Sequence, residues 1–156
     1  MDKQLSRRTV ITGLGATVAA LAGFPRLLQA QTAIVVYKDP NCGCCQKWVD
    51  HMTANGFTAT VNNSGDMTAV KARHKVGPAL ASCHTTLVGG YVVEGHVPAS
   101  DVKRLLTRKP QGIVGLTIPG MPASAPGMDV MPFQPYSVLT FDEQGRTTVF
   151  ARHDKA

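Results

Sequence analysis

The 156-residue sequence lacks the signatures of several common function classes. It has no Gly-rich phosphate-binding loop outside its first 30 residues, and no Ser-His-Asp order or carboxylate pair suggests a hydrolase. Aromatic residues make up only 6% of the chain, and no basic stripe with interleaved aromatics suggests nucleic-acid binding. With 17% charged and 44% hydrophobic residues, the composition is that of a globular protein. The length predicts one domain with an ordinary core.

The sequence also lacks an apolar run of the roughly 20 residues that a membrane span requires. Its longest apolar stretch, residues 9–24, follows a basic start that contains Arg7 and Arg8. A plausible cleavage site follows at Ala30. This arrangement predicts an export signal at residues 1–30, and the paired arginines resemble the twin-arginine type. The alternative is an uncleaved membrane anchor.

Removal of this segment changes the charge of the chain. The full sequence carries a formal charge of +6, but the first 30 residues contain four cations (Lys3, Arg7, Arg8 and Arg26) against the single anion Asp2. The remaining chain therefore carries +3, and the high overall charge is poor evidence for a nucleic-acid partner. Export predicts a periplasmic protein in an oxidising compartment, where four cysteines can form two disulfides.

Residues 32–110 alternate between strand-like and helix-like patterns. Trp48, Val49 and Met52 are expected on the apolar face of the first helix, Asp66 at the start of the second, and Ser100 as the cap of the third. The order predicts an α/β, thioredoxin-like single domain with cysteines at the start of the first helix. The predicted elements are a strand (32–38), a helix (42–56), a strand (57–63), a helix (65–77), a hairpin around Gly89-Gly90 (85–96) and a helix (98–110).

The C-terminal part extends beyond such a minimal domain. Residues 111–135 are rich in Gly, Pro and Met and predict a long ordered loop, in which the tripeptide PGM occurs twice. Residues 136–153 contain two strand-like runs around the turn sequence DEQG and predict a terminal hairpin.

Three of the four cysteines lie in the tetrapeptide CGCC, residues 42–45. Cys42 and Cys45 have the C-x-x-C spacing of a redox dithiol, and a helix N-terminus favours their thiolates. Cys44 is not needed by a dithiol enzyme, whereas clustered thiolates suit Cu(I) and can bridge several ions. Zinc and iron–sulfur sites generally use other cysteine spacings. Metal binding, dithiol redox chemistry and structural disulfides all remain open from the spacing alone.

Other candidate ligands occur later in the chain. Cys83 and His84 precede the predicted hairpin, which a thioredoxin-like fold places beside the dithiol; a disulfide to Cys83 is the alternative. Met121 and Met128, the methionines of the two PGM tripeptides, offer thioethers for copper, although methionine also fills gaps in cores. His96 suits a structural hydrogen bond as well as a metal. Three further histidines are expected to face solvent: His51, His74 and His153.

At these motifs the sequence resembles a known family. The segments VYKDPNCGCCQKWVDHM, LASCHTTLVGGYVVEGHVPA and GLTIPGMPASAPGM, with the closing YSVLTF and VFARH runs, are similar to the CopG-type periplasmic copper-resistance proteins, also catalogued as domain of unknown function 411. The resemblance covers residues 34–153 and implies a thioredoxin-like copper-binding domain. By position, it implies that the metal-site cysteines are Cys42, Cys44, Cys45 and Cys83. His84, His96, Met121 and Met128 fall in the other motif blocks.

The sequence therefore predicts an exported protein that contributes to copper resistance. We expect it to bind Cu(I) in a Cys-rich, multinuclear site that is compatible with Cu(I)/Cu(II) exchange. Its expected partners are copper ions and other periplasmic copper-handling proteins, with no nucleic acid and membrane contact only through an uncleaved signal. The alternative is a periplasmic thiol–disulfide oxidoreductase.

Overall fold

A computed structural model describes residues 31–155 as a mixed α/β domain with a seven-stranded sheet and three α-helices. The predicted export signal lies outside these residues. None of the helices within 31–155 has the length and apolar character needed to cross a membrane. The elements in order are β1 (Thr32–Lys38), α1 (Gly43–Ala54), β2 (Phe57–Asn63), α2 (Met67–Arg73), a 3-10 helix (Pro78–Leu80), β3 (Thr85–Val88), β4 (Tyr91–Glu94), α3 (Ala99–Arg108), β5 (Gly115–Thr117), β6 (Tyr136–Phe141) and β7 (Thr147–His153).

The sheet has the strand order β2-β1-β3-β4-β5-β6-β7. Strands β1 and β2 are parallel, as are β4 and β5, and the other neighbours are antiparallel. Strand β3 runs antiparallel to β1, with Thr85 opposite Tyr37. The start of β3 therefore lies beside the end of β1, which is also where α1 begins.

The local patterns correctly predict most elements. Trp48, Val49 and Met52 are buried and form the inner face of α1. The Asp66 side chain accepts a hydrogen bond from the Ala69 amide and caps α2, as predicted. The hairpin turn falls at Gly89-Gly90, and the terminal hairpin forms from β6 and β7.

Two predictions about the second half of the domain are wrong. Ser100 does not cap α3, because the helix already begins at Ala99 with Pro98 at the cap position. The Ala99 amide instead donates to His51 Nε2 of α1 at 3.2 Å. Part of the predicted loop is strand β5, which pairs with β4 because Gly115 has no side chain: a methyl group there would overlap the Val92 carbonyl.

The three histidines expected to face solvent are also partly buried and engaged with neighbours. His74 packs on the ring of Tyr37, with ring centroids 5.5 Å apart. His153 pairs with Asp101 at 2.8 Å and joins β7 to α3. His51 Nε2 can accept the hydrogen bond from the Ala99 amide only while it is unprotonated, so this contact should depend on pH.

We therefore expect His51 to make the metal-free protein less stable in mild acid. Burial lowers the pKa of His51, and nearby Asp129 only partly offsets this effect. Below about pH 6.5, His51 binds a proton in the unfolded chain more readily than in the folded chain. The free energy of unfolding therefore falls as the pH decreases. Urea unfolding from pH 8 to pH 5 should show a shallower decline for His51→Gln, whose amide oxygen can still accept the bond. Equal slopes for the two proteins would contradict this role.

Candidate metal centre

The fold gathers all four cysteine sulfurs at one end of the sheet. Cys42 is the N-cap residue of α1, Cys44 and Cys45 lie in its first turn, and Cys83 lies between the 3-10 helix and β3. The four Sγ atoms are all within 4.8 Å of one another. This group could hold a metal ion. Within residues 31–155, no His, Asp or Glu side chain belongs to it.

Local hydrogen bonds set the approach of the chain to α1. After β1 the chain turns at Asp39, whose side chain accepts from the Asn41 amide at 2.7 Å and whose carbonyl accepts from the Cys42 amide at 3.1 Å. Cys42 is extended, with φ −77° and ψ 97°, and its side chain does not cap the helix. Its sulfur is therefore free to face the other cysteines.

The sulfurs occupy two chemical states in this structure. Cys42 and Cys45 form a disulfide, while Cys44 and Cys83 are free thiols. The Cys44 Sγ lies 3.5 Å from that of Cys42 and 3.8 Å from that of Cys83. Two sulfurs 3.8 Å apart can both reach one ion at a metal–thiolate distance of about 2.3 Å. The disulfide must be reduced before all four sulfurs can act as ligands.

Burial controls the ionisation of Cys83. Burial, with a smaller contribution from the neighbouring Cys44, raises the pKa of this thiol to about 12, although the Lys71 ammonium opposes the change. Cys83 is thus a neutral thiol at neutral pH in the metal-free protein. A bound cation would have to displace its proton, so metal binding here releases protons.

His84, the residue after Cys83, and His96 are buried in the core, but neither belongs to the group of four cysteines. The His84 ring packs 4.4 Å from that of Trp48 and 5.0 Å from that of His96, measured between centroids. Both rings are fully buried, and burial lowers the pKa of each. They are therefore neutral imidazoles at pH 7, the form in which histidine binds metals.

The hydrogen bonds of the two rings differ. His96 Nδ1 contacts the Pro126 carbonyl at 2.8 Å, which makes Nδ1 the donor and leaves the lone pair on Nε2. That Nε2 and both ring nitrogens of His84 are buried without a hydrogen-bond partner in residues 31–155. Such orphaned buried nitrogens are rare in proteins, and a ligand would satisfy them.

The Gly/Pro/Met-rich loop is attached to both cysteine-bearing segments. At the first PGM, the Gly120 amide donates to the Ala81 carbonyl at 3.1 Å and its carbonyl accepts from the Ser82 hydroxyl, next to Cys83. At the second, Gly127 (φ +87°) packs on α1, where a methyl group would lie 3.0 Å from the Cys44 carbonyl oxygen. Only glycine permits this approach.

Each candidate methionine directly follows one of these attached glycines in the chain. Met121 follows Gly120 and is 58% exposed, and Met128 follows Gly127 and is partly buried.

Sequence reasoning missed a buried ion pair beneath Cys83. Lys71 of α2 donates to the Glu94 carboxylate at the end of β4, with an Nζ–Oε1 distance of 2.5 Å. The Glu94 side chain is completely buried, and burial raises its pKa while Lys71 opposes the shift. The one available signal is that Glu94 is the only charged residue in the apolar run LVGGYVVEG.

Comparison with known proteins gives a consistent result. The family model described as "Protein of unknown function, DUF411" matches residues 80–128. The solved structure "Copper resistance protein copG- Form 1" is 42% identical, with a TM-score of 0.74 over 80% of this chain and 98% of that chain. "Copper resistance protein copG- Form 2" is 43% identical, with a TM-score of 0.73 over 79% and 98%. No curated protein matches the chain.

Proposed function

The chain belongs to the CopG-like DUF411 family, and from that premise we propose that it is a copper-binding protein that contributes to copper resistance. The observation that carries the proposal is the convergence of four cysteine sulfurs within 4.8 Å. The two solved structures with which it aligns are named as copper resistance proteins. In its reduced form, the group would bind Cu(I) through Cys42, Cys44, Cys45 and Cys83.

Several features support copper as the cargo of this site. Thiolate and thioether ligands select Cu(I), and both methionine-bearing tripeptides are attached beside the cysteines. Neutral imidazoles at His84 and His96 would complete the outer ligand positions. This set comprises Cys42, Cys44, Cys45, Cys83, His84, His96, Met121 and Met128.

The number of sulfurs favours more than one copper ion. Cu(I) generally takes two or three ligands, so four thiolates around one ion would leave at least one unused. The Cys44 sulfur lies close to two others, 3.5 Å from that of Cys42 and 3.8 Å from that of Cys83. A sulfur in this position can bridge two ions, and we therefore propose a thiolate-bridged, multinuclear site.

Copper redox exchange is compatible with the same site. When the reduced thiolates of Cys42 and Cys45 form their disulfide, they release two electrons. Two Cu(II) ions would accept one electron each and become Cu(I). The disulfide in this structure is the oxidised product that such a step requires.

The same disulfide supports the alternative function, a periplasmic thiol–disulfide oxidoreductase. A C-x-x-C pair at the start of the helix that follows the first strand supports a thioredoxin-like classification of residues 34–153. Cys44 distinguishes the two functions, because a dithiol enzyme has no use for a third sulfur 3.5 Å from its disulfide.

Copper content separates these two functions. We expect protein purified from copper-supplemented cells to contain copper, and an anaerobic Cu(I) titration with a competing chelator to give more than one tightly bound ion per reduced chain. Protein that contains no copper, and that does not compete with the chelator, would favour the oxidoreductase.

We also propose that the protein is exported to the periplasm, where it would meet other copper-handling proteins. The basic start and apolar stretch of residues 1–30 support this location. N-terminal sequencing of protein from the periplasmic fraction should find a chain that begins near Gln31. An intact Met1 in the membrane fraction would instead indicate an uncleaved anchor.

A further inference from the structure

The Glu94 carboxylate holds both flanks of the Cys83-His84 dipeptide. Its Oε1 accepts from the Ser82 amide at 2.7 Å, and its Oε2 accepts from the Thr85 hydroxyl at 2.7 Å. Lys71 donates to the same carboxylate and lies 3.3 Å from the Thr85 hydroxyl oxygen. One buried side chain on β4 therefore fixes the residue before Cys83 and the residue after His84.

The neighbouring backbone tightens this attachment. Gly95 follows Glu94 with φ +75°, and a methyl group there would collide with the Ser82 side chain. The Gly95 amide donates to the His84 carbonyl at 2.9 Å. The end of β4 thus contacts the Cys83 segment through a carboxylate, a backbone amide and a glycine that allows close approach.

From these contacts we propose that Glu94, neutralised by Lys71, is a positioning residue that holds the Cys83 sulfur against Cys44. Cys83 is the one cysteine outside the CGCC tetrapeptide, so its distance from the others depends on tertiary contacts. The 3.8 Å separation between the Cys44 and Cys83 sulfurs is the distance that Glu94 maintains. For copper binding, this inference rests on the proposed function.

The chemistry of buried charges supports a role beyond stability. Apolar side chains of similar volume often stabilise a fold as well as a buried ion pair does. They cannot, however, accept hydrogen bonds from the Ser82 amide and the Thr85 hydroxyl. The hydrogen-bonding capacity of residue 94 can therefore be separated from its contribution to packing.

Two uncharged double variants make this separation. Lys71→Met/Glu94→Gln retains an acceptor for the Ser82 amide and a polar partner for Thr85. Lys71→Met/Glu94→Leu places a side chain of similar size at position 94, but leucine can form a hydrogen bond with neither the Ser82 amide nor the Thr85 hydroxyl. Both are made in a Cys42→Ser/Cys45→Ser background, where Cys44 and Cys83 are the two remaining thiols of the chain. The milder third variant is Thr85→Val, which removes the hydrogen bond from the Thr85 hydroxyl to Glu94 and nearly preserves the shape of the side chain.

The first readout is the rate at which Cys44 and Cys83 form a disulfide in metal-free protein treated with diamide, measured by mass spectrometry. We expect the Gln variant to react at nearly the parent rate and the Leu variant about tenfold more slowly, because reactions between held groups are sensitive to displacements of the order of 1 Å. Thr85→Val should lie between them. Circular dichroism and urea unfolding identify variants that remain folded.

Equal rates of disulfide formation in the folded Gln and Leu variants would overturn the proposal. If the Leu variant does not fold, a Thr85→Val rate equal to the parent rate would overturn it instead. The second readout is Cu(I) affinity in the chain that retains all four cysteines, where the Leu variant should bind at least about tenfold more weakly than the Gln variant. Because the disulfide assay contains no copper, failure of the proposed function leaves the positioning result interpretable.

Discussion

Replacing Cys44 with serine is expected to remove most of the bound copper while the protein folds normally. The Cys44 sulfur lies 3.5 Å from that of Cys42 and 3.8 Å from that of Cys83, so it is close enough to share an ion with either of them. If each thiolate orients the next ion, the loss of one bridge should remove more than one copper per chain. Serine is well tolerated in the first turn of a helix, so the fold should not explain the loss.

Elemental analysis of copper per chain, with circular dichroism as the folding control, measures this effect. Gln46→Ser is a matched control, because Gln46 is an exposed residue of the same helix that bonds only to Asp50 among the described side chains. It should retain the parent copper content. One copper per chain in the parent protein, or unchanged copper in Cys44→Ser, would eliminate the bridged site and leave Cys44 without its proposed role.

Most of the fold could be predicted because the relevant signals are local. The β-branched run of β1, the Asp66 cap and the Gly89-Gly90 turn each act within a few residues of their own position. Strand β5 could not be predicted, because Gly115 gives no strand signal in isolation. Its pairing with Val92 of β4 is a tertiary contact, which only a residue without a side chain can make at this distance. The cap of α3 is likewise supplied by His51, from a different helix.

The candidate site likewise has residues that the sequence could predict and contacts that it could not. The CGCC spacing identifies three cysteines, and the position of Cys83 before the predicted hairpin identifies the fourth, with which the resemblance to a known family agrees. Neither shows that Glu94 bonds to Ser82 and Lys71, because these contacts join residues 12 and 23 positions apart through the packing of α2, β4 and the Cys83 segment. The burial of His84 and His96, and hence their neutral state, is also a product of tertiary packing.

The disulfide predicts a second large effect, on copper loading. Oxidised protein retains two free thiols, Cys44 and Cys83, whereas fully reduced protein has four. A disulfide sulfur is not a thiolate, so the Cys42–Cys45 disulfide removes two of the four thiolate ligands and any bridge that they make. We expect the oxidised protein to bind about half as much Cu(I) as the reduced protein, or less, because bridging makes the loss more than proportional.

The experiment compares Cu(I) titrations of one protein stock before and after anaerobic reduction and removal of the reductant. Thiol counts of two and four per chain confirm the starting states. Cys45→Ser is the matched variant, because it cannot form the Cys42–Cys45 disulfide, and its copper content should be less sensitive to prior exposure to air. Equal copper in the two-thiol and four-thiol forms would mean that Cys42 and Cys45 are not ligands. The metal site would then reduce to Cys44 and Cys83, and the C-x-x-C pair would act as a separate dithiol beside it.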